Sequence, residues 1–222
     1  MGFDVSQLPP PPDLRHWTFL ENFAAETDEL RRAREASTEI GVSVVSPAAG
    51  AALRFLARTL DAKHVVEIGT GVGSALLWVL QGMAADGQVT TLDSDGEHHR
   101  LAKELVKEAP GRVRFITGRA AEVVPRLADH SYDLVLLSMD SADLNPMLDQ
   151  AVRLLRLGGV IALLDAFGGG KVGDPAQRDP SSVARRLVLH RFASDPRLTP
   201  ALLPVGTGLL VATVDSFDLP AH

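Results

Sequence analysis

A chain of 222 residues, 45% of them hydrophobic, is long enough to bury a large core and stays within the size of a single domain. Its 28 acidic and 22 basic residues leave a net charge of −6, with no broad positive field for a nucleic-acid backbone or an anionic membrane, so neither is expected as a partner. The absence of cysteine excludes disulfides, thiolate zinc sites and cysteine nucleophiles, and it agrees with a reducing, cytoplasmic compartment.

Residues 1–12 hold an acidic residue and a proline run where a signal peptide needs a basic and then an apolar stretch. They are expected to be a flexible, polyproline-like lead to one domain over 13–222. No later apolar run reaches the roughly 20 residues of a membrane helix. Residues 13–37 are dense in Leu, Ala, Glu and Arg and predict one or two helices, with Arg31, Arg32 and Arg34 on a solvated or intersubunit face. Ser46 and Pro47 read as the N-cap and first residue of a helix that ends near Asp61. Short apolar runs then alternate with helical stretches: strands at 64–69, 88–93, 113–118, 132–138 and 158–165, helices at 73–84, 97–109, 120–127 and 143–159. A glycine-rich loop over 168–180 leads to a helix over 181–196, and 201–214 reads as two strands around Gly206-Thr207-Gly208. The whole predicts an α/β fold, Rossmann-like and doubly wound, with a mostly parallel seven-stranded sheet closed by a C-terminal antiparallel hairpin.

The first strand of the alternation runs into Gly69, Gly71 and Gly73, and a helix starts directly afterwards at Ser74 and Ala75. Glycine is needed where a chain turns tightly and lets a ligand approach its backbone. The spacing G-x-G-x-G is not the G-x-G-x-x-G of a dinucleotide fingerprint, which disfavours a nicotinamide oxidoreductase. Glu67, in the strand end, would repel a pyrophosphate but can accept from an ammonium group directly or through water, so a zwitterionic or cationic ligand is expected. Asp93, followed by Ser94, ends the next strand at close to the roughly 20-residue interval at which an acid meets a ribose diol. With Asp95 beside it, a 2′-phosphate is repelled. Gly118 and Ala120 end the following strand, where small residues leave backbone groups open to an adenine edge. A purely structural glycine turn is the competing reading; it weakens because turn, acid and strand order all fall beyond the carboxyl ends of strands, where open α/β sheets bind ligands. His98 and His99 are adjacent, share no helix face and make no metal pair. Lys171, on the 168–180 loop, is read as part of a lid.

With these residues in view, the sequence resembles the small O-methyltransferases of the catechol and caffeoyl-CoA O-methyltransferase type, especially their bacterial members, over about residues 36–214. The resemblance rests on Val45-Ser46-Pro47, the turn at 67–73, Thr91-Leu92-Asp93, the stretch 118–122, Ser131-Tyr132-Asp133-Leu134, the stretch 155–161 with Gly158-Gly159, and 204–209. It implies an S-adenosylmethionine-dependent O-methyltransferase acting on a small hydroxylated acceptor, and a homodimer. Glu67, Gly69, Thr70 and nearby backbone would hold the methionine part, Asp93 the ribose and Ala120 the adenine edge, with Val45 lining the other side. The family serine that touches the cofactor carboxylate falls on Ala75, one place after Ser74. The full cofactor set is Val45, Glu67, Gly69, Thr70, Gly71, Gly73, Ser74, Ala75, Asp93, Ser94, Gly118, Ala120 and Asp140.

Members of that family usually carry Asp-Ala-Asp-Lys after the fourth strand and Asp-Asn after the fifth, three oxygen ligands for a divalent cation and a lysine near the acceptor hydroxyl. Those columns here hold Ser138, Met139, Asp140 and Ser141, then Leu164 and Asp165. Magnesium wants an octahedral set of oxygens, so no tightly held metal is expected and no metal ligand is assigned. Asp140 or Asp165 would instead act as general base. The alternative is a binding protein for the same cofactor that has lost catalysis and serves as a regulatory or interaction module.

Overall fold

The computed structural model describes residues 13–107, 111–139 and 143–217; the proline-rich lead and the predicted site residue Asp140 lie outside the described residues. Two helices come first, α1 (Leu14–Phe23) and α2 (Asp28–Ile40), each begun by a side chain that accepts from the free first-turn amides, Asp13 and Thr27. Helix α3 (Pro47–Thr59) starts where Ser46-Pro47 predicts, with Ser46 Oγ accepting from the Ala49 amide at 3.3 Å. The alternating part follows as β1 (His64–Ile68), α4 (Ser74–Gly82), β2 (Gln88–Asp93), α5 (Gly96–Leu105), β3 (Val113–Thr117), α6 (Ala120–Val123), β4 (Tyr132–Leu137), α7 (Leu144–Leu154) and β5 (Leu155–Leu164). Helix α8 (Pro180–Ser194) and the strands β6 (Leu198–Leu203) and β7 (Leu209–Val214) complete it.

The seven strands form one sheet in the order β3-β2-β1-β4-β5-β7-β6. From β3 to β5 all neighbours are parallel, and β7 runs antiparallel to both β5 and β6. The C-terminal hairpin therefore inserts its second strand beside β5 and leaves its first at the edge. Strand order reverses between β1 and β4, so the connections leaving these neighbours diverge to opposite faces and open a crevice at their carboxyl ends.

Alternate residues of each central strand face opposite layers, which is why these strands are apolar without interruption. Val65, Leu134, Leu136 and Ala162 pack under α2, α3 and α4, and Val66, Ile68, Val135, Leu137 and Ile161 pack under α7 and α8. Helix α4 is buried all round because α3 covers its outer side at very short range. A methyl group on Gly50 would stand 2.2 Å from the indole nitrogen of Trp78, and one on Gly82 would stand 2.2 Å from the carbonyl oxygen of Arg54. Across the other end of the sheet, Asp133 Oδ2 accepts from the amides of Lys63 and His64, both at 2.8 Å, which pins the start of β1 to β4.

Two predicted boundaries move. The helix predicted to reach 159 stops at Leu154, because Leu155 already pairs with Tyr132 as the first residue of β5. The two glycines then belong to an irregularity in that strand: the register shifts between Tyr132 and Leu134, and Gly158 takes a φ of 72°. The helix predicted over 97–109 is α5, which ends at Leu105. Among the described residues no helix is long and apolar enough to cross a membrane.

Candidate active site

A cavity of about 880 Å³ opens over the crevice at the carboxyl ends of β1, β2, β4 and β5, within the roughly 300 to 1,000 Å³ of small-molecule sites. One end is lined by the turn residues Gly69, Thr70, Gly71 and Val72, by Ser74 and Ala75 in the first turn of α4, and by Asp93 and His98. The other is lined by Ser138 and Met139 after β4, Leu164 and Asp165 at the end of β5, Gly169, and Ser181 and Arg185 on α8. The segment after α2, from Gly41 to Val45, and the β6–β7 turn at Thr207 and Gly208 form the remaining wall.

The turn is built from backbone contacts that exclude side chains. Gly69 takes a φ of 94°, and its amide donates to the carbonyl of Leu92 at 2.8 Å. A Cβ on it would lie 2.1 Å from the carbonyl oxygen of Ser138, so the exits of β1 and β4 touch main chain to main chain. Gly73, with a φ of 87°, begins α4 without any side-chain cap, so the helix presents a bare N-terminus suited to a carboxylate. Asp93 completes this end. Its Oδ2 accepts from the Gly71 amide at 2.9 Å and its Oδ1 from the Asp95 amide at 3.0 Å, which fixes the carboxylate at the wall. His98 Nδ1 stands 3.2 Å from Asp93 Oδ2 but out of line for a hydrogen bond, and it is buried without a hydrogen-bond partner.

Behind the turn lies a buried polar chain. Glu67 is 1% exposed, its Oε2 accepts from Thr91 Oγ1 at 2.5 Å and its Oε1 has no partner. The Thr91 hydroxyl meets that of Thr70 at 2.6 Å, Thr70 meets His99 Nε2 at 3.0 Å, and His99 Nδ1 meets Thr117 Oγ1 at 2.8 Å. Since Thr91 spends its proton on Glu67, Thr70 donates to Thr91 and accepts from an Nε2–H of His99, and Thr117 donates to Nδ1. Burial holds His99 below the usual imidazole range, so the ring is neutral as this chain requires. Burial, and secondarily the charge of Asp93, pushes the Glu67 carboxyl up to about 8 against the pull of the Thr91 hydrogen bond.

At the opposite end Asp165 follows β5 with a φ of 52°, a left-handed conformation that Asp tolerates better than most residues. Its Oδ1 accepts from the Gly169 amide at 3.3 Å, and its carbonyl accepts from Arg185 Nη1 at 2.7 Å. Arg185 Nη2 stands 3.6 Å from Asp165 Oδ2.

The family model described as O-methyltransferase matches residues 22–214. The chain belongs to the O-methyltransferase family. It is similar to the Mycobacterium tuberculosis protein named "Probable O-methyltransferase Rv1220c", 47% identical over 202 residues that make up 90% of either chain. Among solved structures it is similar to a Corynebacterium glutamicum protein, 33% identical with a TM-score of 0.83, over 94% of this chain and 98% of that one. It is also similar to the O-methyltransferase TomG of Streptomyces achromogenes, involved in tomaymycin synthesis and solved in complex with S-adenosylmethionine, with 25% identity and a TM-score of 0.81 over 92% of this chain and 100% of that one. Nothing in these matches favours a binding module that has lost catalysis.

In this O-methyltransferase the predicted residues Val45, Gly69, Thr70, Gly71, Ser74, Ala75, Asp93 and, at the end opposite the turn, Asp165 all lie on the cavity lining. Glu67, Gly73, Ser94, Gly118 and Ala120 are not on it. Glu67 points beneath the turn toward α4; Gly73 packs against Ala102, where an added Cβ would lie 3.2 Å from that methyl. Ser94 is exposed beyond Asp93, Gly118 donates its amide to the Asp93 carbonyl at 2.9 Å, and Ala120 packs on the core. Lys171 is exposed and off the wall. Sequence reasoning missed the residues from Gly41 to Val44, and it missed Arg185. No local signal marks the latter: α8 has apolar residues on its exposed side as well, such as Val183 and Leu187, and only the packing puts Arg185 in the buried stripe with Ser182, Val188 and Phe192. Among the described residues the donor set does not fit a divalent cation. Ser138 is a neutral hydroxyl, Leu164 is apolar and Asp165 already faces a guanidinium, and among the described residues no three His, Asp or Glu converge.

Proposed function

We propose that this O-methyltransferase binds S-adenosylmethionine across the glycine turn and methylates a hydroxyl of a small acceptor held between β4, β5 and α8, without a divalent metal. The observation that carries the reading is the Asp93 carboxylate, fixed at the wall by the Gly71 amide beside the bare N-terminus of α4. Asp93 suits the two ribose hydroxyls, and the backbone from Gly69 to Gly71 with Ser74 and Ala75 suits the methionine carboxylate. TomG, whose structure contains S-adenosylmethionine, supports the same assignment here. When bound, S-adenosylmethionine supplies an electrophilic methyl group on a sulfonium. The chain itself has to orient the acceptor, keep water out and remove the hydroxyl proton. Asp165 is the described carboxylate at the acceptor end, and we assign it the role of proton acceptor.

Calorimetric titration tests this. The protein is expected to bind S-adenosylmethionine and S-adenosylhomocysteine at micromolar concentration with no effect of magnesium. Asp93→Ala should weaken both by about tenfold to a hundredfold through loss of two charge-assisted hydrogen bonds. Asp165→Asn should bind them as the wild type does and lose about a hundredfold in turnover of any acceptor found by screening. No heat with either ligand rejects the reading, and undiminished turnover in Asp165→Asn rejects the base.

We also infer a homodimer that pairs through α1 and α3. Leu14, Phe19 and Phe23 on α1 are 81%, 69% and 80% exposed and Phe55 on α3 is 68% exposed, more apolar surface than an isolated monomer ordinarily leaves open in one region. Glu21 holds α1 in place by accepting from Ser46 Oγ at 3.0 Å and the Ala48 amide at 2.9 Å, so the aromatic face is presented by an anchored helix. Light scattering should give a dimer mass for the wild type and a monomer mass for the double variant Phe19→Asp, Phe23→Asp. A monomeric wild type at micromolar concentration refutes the assignment.

A further inference from the structure

Arg185 is the one arginine or lysine among the described residues that line the cavity. It is 6% exposed and sits in the apolar stripe of α8. A guanidinium carries five N–H donors, and burying one is costly unless its charge is matched. The match here is partial. Nη1 has the Asp165 carbonyl at 2.7 Å, while Nη2 stands 3.6 Å from the Asp165 carboxylate, beyond hydrogen-bond range.

The loop after β5 is shaped around this side chain. Gly168, with a φ of 56°, would place a Cβ 3.2 Å from Arg185 Cδ and 3.3 Å from Nε, so the arginine stem passes where the loop has no side chain. The guanidinium is thereby held at one end by a backbone carbonyl, next to Asp165 and on the same wall as Ser138 and Leu164. The positions that the family resemblance aligns with cation ligands thus lie beside a cation that is part of the chain.

We propose that Arg185 is the acceptor-binding residue: its guanidinium receives the ionised hydroxyl oxygen of the acceptor, and so selects acidic hydroxyls, phenolic or enolic, over ordinary alcohols. The inference rests on the cofactor reading given above and extends it to the acceptor. The hydroxyl proton leaves to Asp165 or solvent; the oxygen lone pair then forms the new C–O bond as the C–S bond breaks, and its electrons remain on a neutral thioether. A fixed positive charge beside the oxygen favours the anion that attacks. A guanidinium suits the task because it stays charged at any working pH and offers several donors in one plane.

The test uses 4-nitrophenol, whose phenolate absorbs in the visible, added to the full chain saturated with S-adenosylhomocysteine. In the wild type the bound phenol is expected to ionise about one pH unit lower than in free solution, without added metal. Arg185→Met, close in shape and uncharged, should abolish that shift and weaken phenolate binding about tenfold, while Arg185→Lys should retain part of it. Circular dichroism and S-adenosylhomocysteine binding check that each variant is folded. Equal ionisation in wild type and folded Arg185→Met overturns the proposal, as does a wild-type shift that requires magnesium, or no binding of the phenol at all. In each of these cases intact S-adenosylhomocysteine binding leaves the cofactor reading standing; its absence in the wild type overturns both.

Discussion

Gly69→Ala is expected to yield a protein that melts about 10 °C lower and no longer binds S-adenosylmethionine. The cause is local and steric. The new methyl group would stand 2.1 Å from the Ser138 carbonyl oxygen, and both partners are main chain, so neither can rotate away. A φ of 94° adds backbone strain of about 1 to 3 kcal/mol for a residue with a side chain. Forcing β1 and β4 apart adds a similar amount as overpacking, and for a chain of this size each kcal/mol lowers the melting temperature by roughly 2 to 4 °C. The same displacement carries the Gly69 and Thr70 amides away from Leu92 and misplaces the turn beside Asp93. Gly71→Ala is the control. Its φ of 51° is accessible to alanine and its Cβ would meet only Val42 Cγ2 at 3.7 Å, so it should fold with a loss of about 1 kcal/mol. Thermal denaturation of the two variants, followed by calorimetry with the cofactor, separates the cases. A Gly69→Ala protein as stable as the wild type would mean that the contact between the two strand exits is not needed.

Much of this architecture is legible in the sequence because the parallel strands are buried on both faces. Such strands must be apolar throughout, so runs like Val65-Val66 and Leu134 to Leu137 stand out between amphipathic helices. The start of β5 was not legible for the converse reason. Val152, Leu154, Leu155 and Leu157 keep an apolar rhythm that continues the preceding helix, and only the pairing of Leu155 with Tyr132, a contact across the sheet, ends it. The glycine turn and Asp93 were legible because their chemistry is local: turn, acid and strand ends are close in sequence. Arg185 was not, since its place depends on α8 returning over the end of β5, and nothing near it in sequence announces that packing. Glu67 falls between the two cases. Its position at a strand end is plain in the sequence, yet strand alternation turns its side chain toward α4, the same side as Val65, and places it under the turn instead of on the wall.

That burial makes Glu67 a source of pH dependence that Glu67→Gln should remove. The carboxyl is held up to about 8 in the folded protein, first by burial and then by the charge of Asp93, against an ordinary value near 4.3 in an unfolded chain. Below about pH 4 both states are protonated and the group contributes no difference. Between there and about pH 8 the unfolded chain gives up the proton while the folded one keeps it, so stability falls as pH rises through this window, by on the order of 5 kcal/mol in total. Denaturant unfolding should therefore find Glu67→Gln similar to wild type near pH 5 and increasingly more stable than it toward pH 8. Above that window, or on meeting a cation, the folded carboxyl ionises. On the proposed cofactor placement the ammonium group of the methionine part lies over the turn, and its charge acts across the turn on the Glu67 carboxyl, whose Oε1 has no hydrogen-bond partner. Binding at pH 7 is then expected to release up to one proton per site in the wild type and none in Glu67→Gln, with weaker affinity in the variant. Calorimetry in buffers of different ionisation heat counts that proton. An equal count in the two proteins would mean that Glu67 stays neutral beneath the turn and serves only to anchor Thr91, Thr70 and His99; a difference of one makes it the group that senses the ligand's positive charge.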